Sequence, residues 1–389
     1  MNMSFLGGAL ALAFFVLGTS PAHAFAPPKP VYPTPDPNCL VDSVTRLPSS
    51  YDILATAPGS QTAFFNTRDA NDLYQLHRLN PDGTSQCLTC VQVAGGPRVD
   101  RHKVMVTQHP SGKFVFVGVE QDIHEWDYIM PADWEIGLIQ SGIWIDMWVT
   151  TPNGDRWWRL TDFWASKEAT GYTGIAFTSD GKVAAWSEAQ PAANMFANTY
   201  GEWKLFRAEF VVDSMGNPGF INKRDISPPD ARWLETGNFH PDNRRVLLST
   251  DIGMGNPRNA EGQDQWSLDI YTGQLVQLMN TPQIWDEHGV YSPDGKKIVF
   301  MSSHPYSLSN PNGWHVVSLK TEFLIMNSDG TGLQPITHFN EPGYPEFRPE
   351  GGVAAVAYWR DDGSLFATVL EAGFRMTNWK IRFKGRCGF

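Results

Sequence analysis

The chain has 389 residues, with 30 Lys and Arg against 41 Asp and Glu, a formal net charge of −11. Nucleic acids and anionic membrane surfaces are held by clustered Lys and Arg, so this balance speaks against both as partners. With 35 Gly, 28 Pro, 13% aromatic residues and no sustained helical period, the composition argues against a helical bundle and for many short strands joined by tight turns.

The first element predicted is an export signal. Residues 5–17 are uniformly apolar or small, and Ala22-His23-Ala24 supplies a small-x-small cleavage site, so 1–24 read as a signal peptide and the mature chain begins near Phe25. The apolar run is shorter than the roughly 20 residues that span a bilayer. No later segment is apolar enough to span, so the expectation is a periplasmic or secreted protein with no transmembrane segment after cleavage. A Pro-rich stretch, 25–47, follows and carries Cys39. In an exported chain four cysteines point to disulfides. Cys87 and Cys90 are close enough for a local bridge, and a Cys39–Cys387 bond would fasten the two ends of a ring; three pairings remain open.

From about residue 48 one unit recurs. Segment 233–250 aligns without a gap on 285–302: Trp233, Glu235, Gly237, Phe239, Pro241 and Asp242 fall on Trp285, Glu287, Gly289, Tyr291, Pro293 and Asp294. Looser copies lie at 108–117, 177–186 and 347–356, with a degraded first copy at 57–65. Each reads as an apolar strand, a Pro-Asp-Gly type turn and a second strand. In most copies two more strands follow, joined by turns such as Asn80-Pro81-Asp82-Gly83 and Asn327-Ser328-Asp329-Gly330. Four strands per unit, repeated around a ring, are the blades of a β-propeller.

The stretch 292–300, Ser-Pro-Asp-Gly-Lys-Lys-Ile-Val-Phe, together with 327–337, resembles the TolB-like propeller repeat. That resemblance implies an all-β fold, a β-propeller of six four-stranded antiparallel blades with seven possible, occupying 48–389 as a single domain. It implies little about function, since the same repeat serves translocation-associated proteins, peptidase propellers and oligogalacturonate lyases. Turn positions at 59, 112, 181, 243, 295 and 351 are 52 to 69 residues apart, whereas a bare blade needs about 40–45. Insertions at 121–142, 190–201, 252–263 and 304–320 therefore decorate the ring, all after the second strand of a blade.

A hairpin returns the chain to the face it left, so first-strand starts, second-strand ends and these insertions share one face. That brings His102, Lys103, Glu235, Glu287, His288 and Tyr344 together with Glu120, Glu188, Asp251 and His304. Glu120, Glu188 and Asp251 recur eight, seven and eight residues after the turn position. The expectation is an acidic, histidine-bearing mouth. His288, Glu287 and His304 are candidate ligands of a divalent cation; His288, His102 and Glu287 are candidates for proton transfer; the carboxylates are equally able to cap strand ends. Seven of the 15 tryptophans lie in the second blade and its insertion, and Trp126, Trp134 and Trp164 are candidates to stack on a ligand.

The α/β-hydrolase nucleophile elbow is absent, as are phosphate-cradling glycine loops. Two functions are consistent with the sequence. The first is an exported propeller that binds a glycan, small molecule, protein or divalent cation at the mouth. The alternative is a carbohydrate-active enzyme, such as a metal-assisted uronate lyase.

Overall fold

Asp294 shows why the repeat turns where it does. Its Oδ1 accepts the Lys296 N–H at 3.0 Å and the Ser292 hydroxyl at 2.7 Å, closing an Asx-type turn. Asp180 does the same for Thr178 and Lys182, and Asp242 for the Arg244 N–H. Gly295 takes φ +72°, in the left-handed region that glycine enters without penalty. A Cβ there would also stand 2.4 Å from His240 Nε2. His240 Nε2 lies 3.2 Å from the Gly295 carbonyl, and His109 Nε2 lies 2.9 Å from that of Gly181, so each imidazole ties its blade to the turn of the next.

A computed structural model describes residues 30–47, 54–55, 62–122, 139–191, 202–253, 262–282, 284–306, 319–371 and 375–389. The cleavage signal and most of the four insertions lie outside these residues, as do Trp126 and Trp134. After β1 (Val41–Arg46), blade 1 holds β2 (Leu54–Ala55), β3 (Ala63–Arg68), β4 (Tyr74–Leu79) and β5 (Ser85–Cys87). Blade 2 holds β6 (Lys103–Gln108), β7 (Val115–Glu120), β8 (Ile145–Thr150) and β9 (Trp157–Arg159), and blade 3 holds β10 (Gly171–Phe177), β11 (Val183–Ala189), β12 (Trp203–Val212) and β13 (Pro218–Asp225). Blade 4 holds β14 (Leu234–Phe239), β15 (Arg245–Thr250), β16 (Asp264–Asp269) and β17 (Leu275–Gln277), and blade 5 holds β18 (Asp286–Tyr291), β19 (Lys297–Ser302), β20 (Glu322–Asn327) and β21 (Gln334–Pro335). Blade 6 is β22 (Gly352–Trp359), β23 (Leu365–Glu371) and β24 (Arg375–Phe383), with β1 as its outer strand.

The fold is therefore a six-bladed propeller of four-stranded antiparallel sheets. The ring closes through β1, whose Val41 and Arg46 face Phe383 and Trp379 of β24. Cys39 and Cys387 are disulfide-bonded just beyond that pairing, and Cys87 bonds Cys90. Apolar faces of neighbouring sheets bury one another. Phe116, Ile298, Phe300 and Leu324 are wholly buried, each contributing roughly 1.5–3 kcal/mol by leaving water.

The threonine that ends the stretch 327–337 has its own explanation. In four blades the threonine hydroxyl after the last strand bonds an acceptor near the start of the third: Thr89 to Gln75, Thr161 to Asp146, Thr281 to Asp264 and Thr337 to Glu322. These acceptors fasten outer strands, a structural task.

Blade 6 corrects one reading. Pro349-Glu350-Gly351 precedes the inner strand β22, and the hairpin between first and second strands is at 360–364, where the Gly363 N–H bonds the Arg360 carbonyl. The copy at 347–356 was thus out of phase, because Pro349-Glu350-Gly351 carries the proline and glycine of the turns at 110–112 and 293–295, whereas the true turn, Asp361-Asp362-Gly363, has no proline.

Candidate functional site

The inner strands line the axis of a propeller, and three titratable side chains on them come together. Glu235 on β14 and Glu287 on β18 occupy the same place in the two best-aligned copies, and His288 follows Glu287. The pairing of β18 with β19 shifts register between Glu287 and Val290, and His288 adopts φ +54° at this bulge. Bulges re-aim side chains, and a non-glycine residue there is strained by about 1–3 kcal/mol. Blades 2 and 3 carry the same feature at Met105 and Gly174.

His288 Nε2 stands 3.1 Å from Glu235 Oε2. Its Nδ1 lies 3.0 Å from the Ala355 carbonyl of β22 and 3.9 Å from Glu287 Oε2. Trp285 Nε1 donates to Glu287 Oε2 at 2.8 Å, and Thr173 of β10 reaches Glu235 Oε1 at 3.5 Å. Blades 3, 4, 5 and 6 therefore all contribute, which puts the cluster where the inner strands face the axis. One ligand atom from each of Glu235, Glu287 and His288 lies within 4.8 Å of the others. The cluster keeps a face to solvent, with side-chain exposures of 15%, 10% and 26%.

Its electrostatics follow from crowding. Burial pulls the His288 imidazole down, but the Glu235 and Glu287 carboxylates outweigh it and hold it at about 10. Burial, with Glu235 adding to it, pushes Glu287 up to about 7 despite His288. Burial opposes the charge on Glu235 too, yet His288 holds that carboxyl below the usual range. The cluster therefore pairs the His288 imidazolium with the Glu235 carboxylate, and Glu287 is the carboxyl whose proton burial and Glu235 together help retain. Burial and Glu235 push Tyr358 of β22 up, leaving a neutral phenol beside them.

The other expected residues have partners nearer home. His102 is buried, takes the Tyr74 N–H on Nδ1 at 3.2 Å and is pulled down by burial. Its own backbone N–H donates to Glu120 Oε2 at 2.9 Å. Lys103 is fully buried and donates to the Arg101 and Val99 carbonyls at 2.6 and 3.2 Å. Glu188 accepts from Trp186 Nε1 at 2.8 Å and pairs with Lys223 at 2.7 Å. Asp251 caps the Arg232 and Trp233 N–H groups at 3.0 and 3.1 Å. His304 Nδ1 lies 3.2 Å from the Tyr32 hydroxyl, and the group that converges with Glu287 and His288 includes Glu235 and not His304. Tyr344 stacks on His338 with centroids 3.8 Å apart, and Lys167 Nζ sits 3.5 Å above the Trp164 ring. His77, Cys87 and Cys90 also converge, but both cysteines are in a disulfide and offer no thiolate.

Sequence reasoning missed the Ala355 carbonyl, Thr173, Tyr358 and the carboxylate of Glu371. Glu371 had a signal: it lies eight residues after Gly363, as Glu120 does after Gly112, and was hidden by the misphased sixth copy.

No family model matches the chain, and no curated protein matches it. Solved structures do. TolB from Acinetobacter baumannii superposes with a TM-score of 0.45 at 15% identity, over 83% of this chain and 64% of that one, so the chain spans less than two thirds of that protein. A putative TolB from Agrobacterium tumefaciens gives 0.50 at 12% identity, over 75% of this chain and 86% of its own. An oligogalacturonate lyase in complex with manganese gives 0.46 at 11% identity, over 87% and 90%. Among the described residues no helix is long and apolar enough to cross a membrane. At these identities the likeness is one of fold, and the fold it shows is the TolB-like six-bladed β-propeller.

Proposed function

We propose that this chain is an exported binding propeller that takes a divalent cation at Glu235, Glu287 and His288, the cation then holding an oxygen-bearing ligand such as a glycan at the channel mouth. The observation that carries this reading is the convergence of two carboxylates and one imidazole within 4.8 Å on the inner strands. His288 supports it in detail: the Ala355 carbonyl accepts from Nδ1, which leaves Nε2 to face the Glu235 carboxylate, an arrangement common to metal-binding histidines. Mixed nitrogen and oxygen donors suit zinc- or manganese-like ions. Export rests on the 5–17 run and the Ala22-His23-Ala24 site, and the net charge of −11 supports partners other than nucleic acid.

Metal analysis of purified protein tests the reading. One equivalent of metal, absent from Glu287→Ala and His288→Ala, is expected; metal-free wild type that takes up no ion, with variants altered only in stability, would overturn it.

One observation favours the enzyme as a second reading. A carboxyl at about 7 beside an imidazolium is poised to exchange protons near neutral pH. Incubation with uronic-acid oligosaccharides separates the two: new absorbance from unsaturated ends would establish a lyase, and its absence with every substrate leaves the binder.

A further inference from the structure

Four second-strand carboxylates occupy matching positions, and one is unlike the rest. Glu188 is neutralised by Lys223 at 2.7 Å, and Asp251 and Glu120 take backbone N–H groups. Glu371, at the end of β23, instead faces three guanidinium groups from separate parts of the chain. Arg46 ends β1, Arg348 precedes β22 and Arg375 opens β24. Their nitrogens stand 3.5, 3.4 and 3.5 Å from the Glu371 oxygens. Docked guanidinium–carboxylate pairs close to about 2.7–2.9 Å, and Arg159 in this protein reaches Asp146 at 2.6 Å. The three arginines are drawn to Glu371 without being docked on it.

The donors outnumber what the carboxylate can accept. Three guanidinium groups carry roughly fifteen N–H donors against about four acceptor positions on one carboxylate, and Thr377 Oγ1 already donates to one of its oxygens at 3.1 Å. Glu346, whose Oε1 takes the His338 N–H at 3.1 Å, also acts on Arg348 and leaves a net charge of +1 on the group. Arg348 is held in place over the Trp379 ring at 4.3 Å, and its Nε, the nitrogen 3.4 Å from Glu371 Oε1, is buried without completing a hydrogen bond among the described residues. Burial, with Arg46 adding to it, pulls this guanidinium below the usual arginine range. Arg46 and Arg375 are 47% and 69% exposed, so the surplus donors are open to solvent.

We propose that Arg46, Arg348 and Arg375 form an oxyanion site at the rim of blade 6, for a carboxylate or phosphate group carried by a ligand. Guanidinium forks match the paired oxygens of both groups. The site sits at the end of β22 from which the strand runs to Ala355, roughly 10 Å along at about 3.3 Å per residue, so a ligand bound here lies on the face of the channel mouth. It does not depend on a cation in the channel.

Calorimetric titration of the intact chain at low ionic strength, with sodium phosphate and separately with sodium glucuronate, tests the site. Saturable binding of one or both is expected, at least about tenfold weaker in Arg375→Gln and tighter in Glu371→Gln, which removes the competing internal carboxylate. The exposure of Arg375 makes its variant safe for the fold. Preference for phosphate identifies a phosphate ester as the ligand group, and preference for glucuronate a carboxylate. The proposal is overturned by the absence of saturable binding of either, or by an affinity that Arg375→Gln leaves unchanged.

Discussion

Nε2 of His288 lies 3.1 Å from Oε2 of Glu235, an ion pair across the seam between blades 5 and 4. The folded-state value of His288, about 10, is above the ordinary 6.5. The pair's stabilisation is therefore fully present below about pH 6.5 and is lost as pH rises toward 10. Glu287, raised to about 7 from 4.5, acts with the same sign at lower pH. Relative to His288→Gln, the wild type should lose on the order of 2 kcal/mol between pH 6.5 and 10. Urea denaturation across that range measures it, and parallel profiles would refute the ion pair.

Lys103 gives the opposite slope. Burial pulls its ammonium down to about 8 from 10.5, so the folded state favours the neutral amine. Stability is then lost as pH falls from about 10.5 to 8, by on the order of 3 kcal/mol. Lys103→Met should remove this slope, leaving a constant offset from the Val99 and Arg101 carbonyls that lose their donor. The wild-type minus variant difference between pH 8 and 10.5 checks it, and a flat difference would show the amine to be hydrated.

The latch between blades 4 and 5 is testable at one glycine. Gly295→Ala combines φ +72° with a Cβ placed 2.4 Å from His240, and should destabilise by about 1–3 kcal/mol. Adding His240→Ala should recover part of that loss, since the clash is with the ring. Simple additivity in a double-mutant cycle would place the cost in the backbone alone.

The two disulfides should differ sharply. Cys39 and Cys387 are 348 residues apart, whereas Cys87 and Cys90 are three apart. By chain entropy, replacing the first pair with serine should lower stability by about 4–6 kcal/mol and the second by far less. Denaturation of both double variants decides this, and equal losses would contradict a closing role for the long bridge.

What was legible in the sequence was what is decided locally. Asp294 and Gly295 make a turn from their own chemistry, so the hairpins and the count of blades could be read. Blade 6 slipped because Pro349-Glu350-Gly351 carries the turn composition on a loop between blades. Alignment of the repeat alone placed Glu235 and Glu287 at one position, and their convergence follows from ring closure. The partners of the other acids were hidden, because Lys223 reaches Glu188 from the fourth strand of its blade, 35 residues on. Equivalent positions in a repeat share a backbone place; what their side chains meet is set by residues outside the motif.

The central claim, a cation at Glu235, Glu287 and His288, is tested most directly by calorimetric titration of the intact protein with manganese and zinc at pH 7 in buffers of different ionisation heat. His288 is protonated there, so binding through Nε2 must release its proton. The account predicts a saturable single site that releases at least about one proton per ion, that of His288 and whatever Glu287 holds, and disappears in Glu235→Gln and His288→Ala. Absence of saturable binding, or binding that survives both substitutions without proton release, would contradict it.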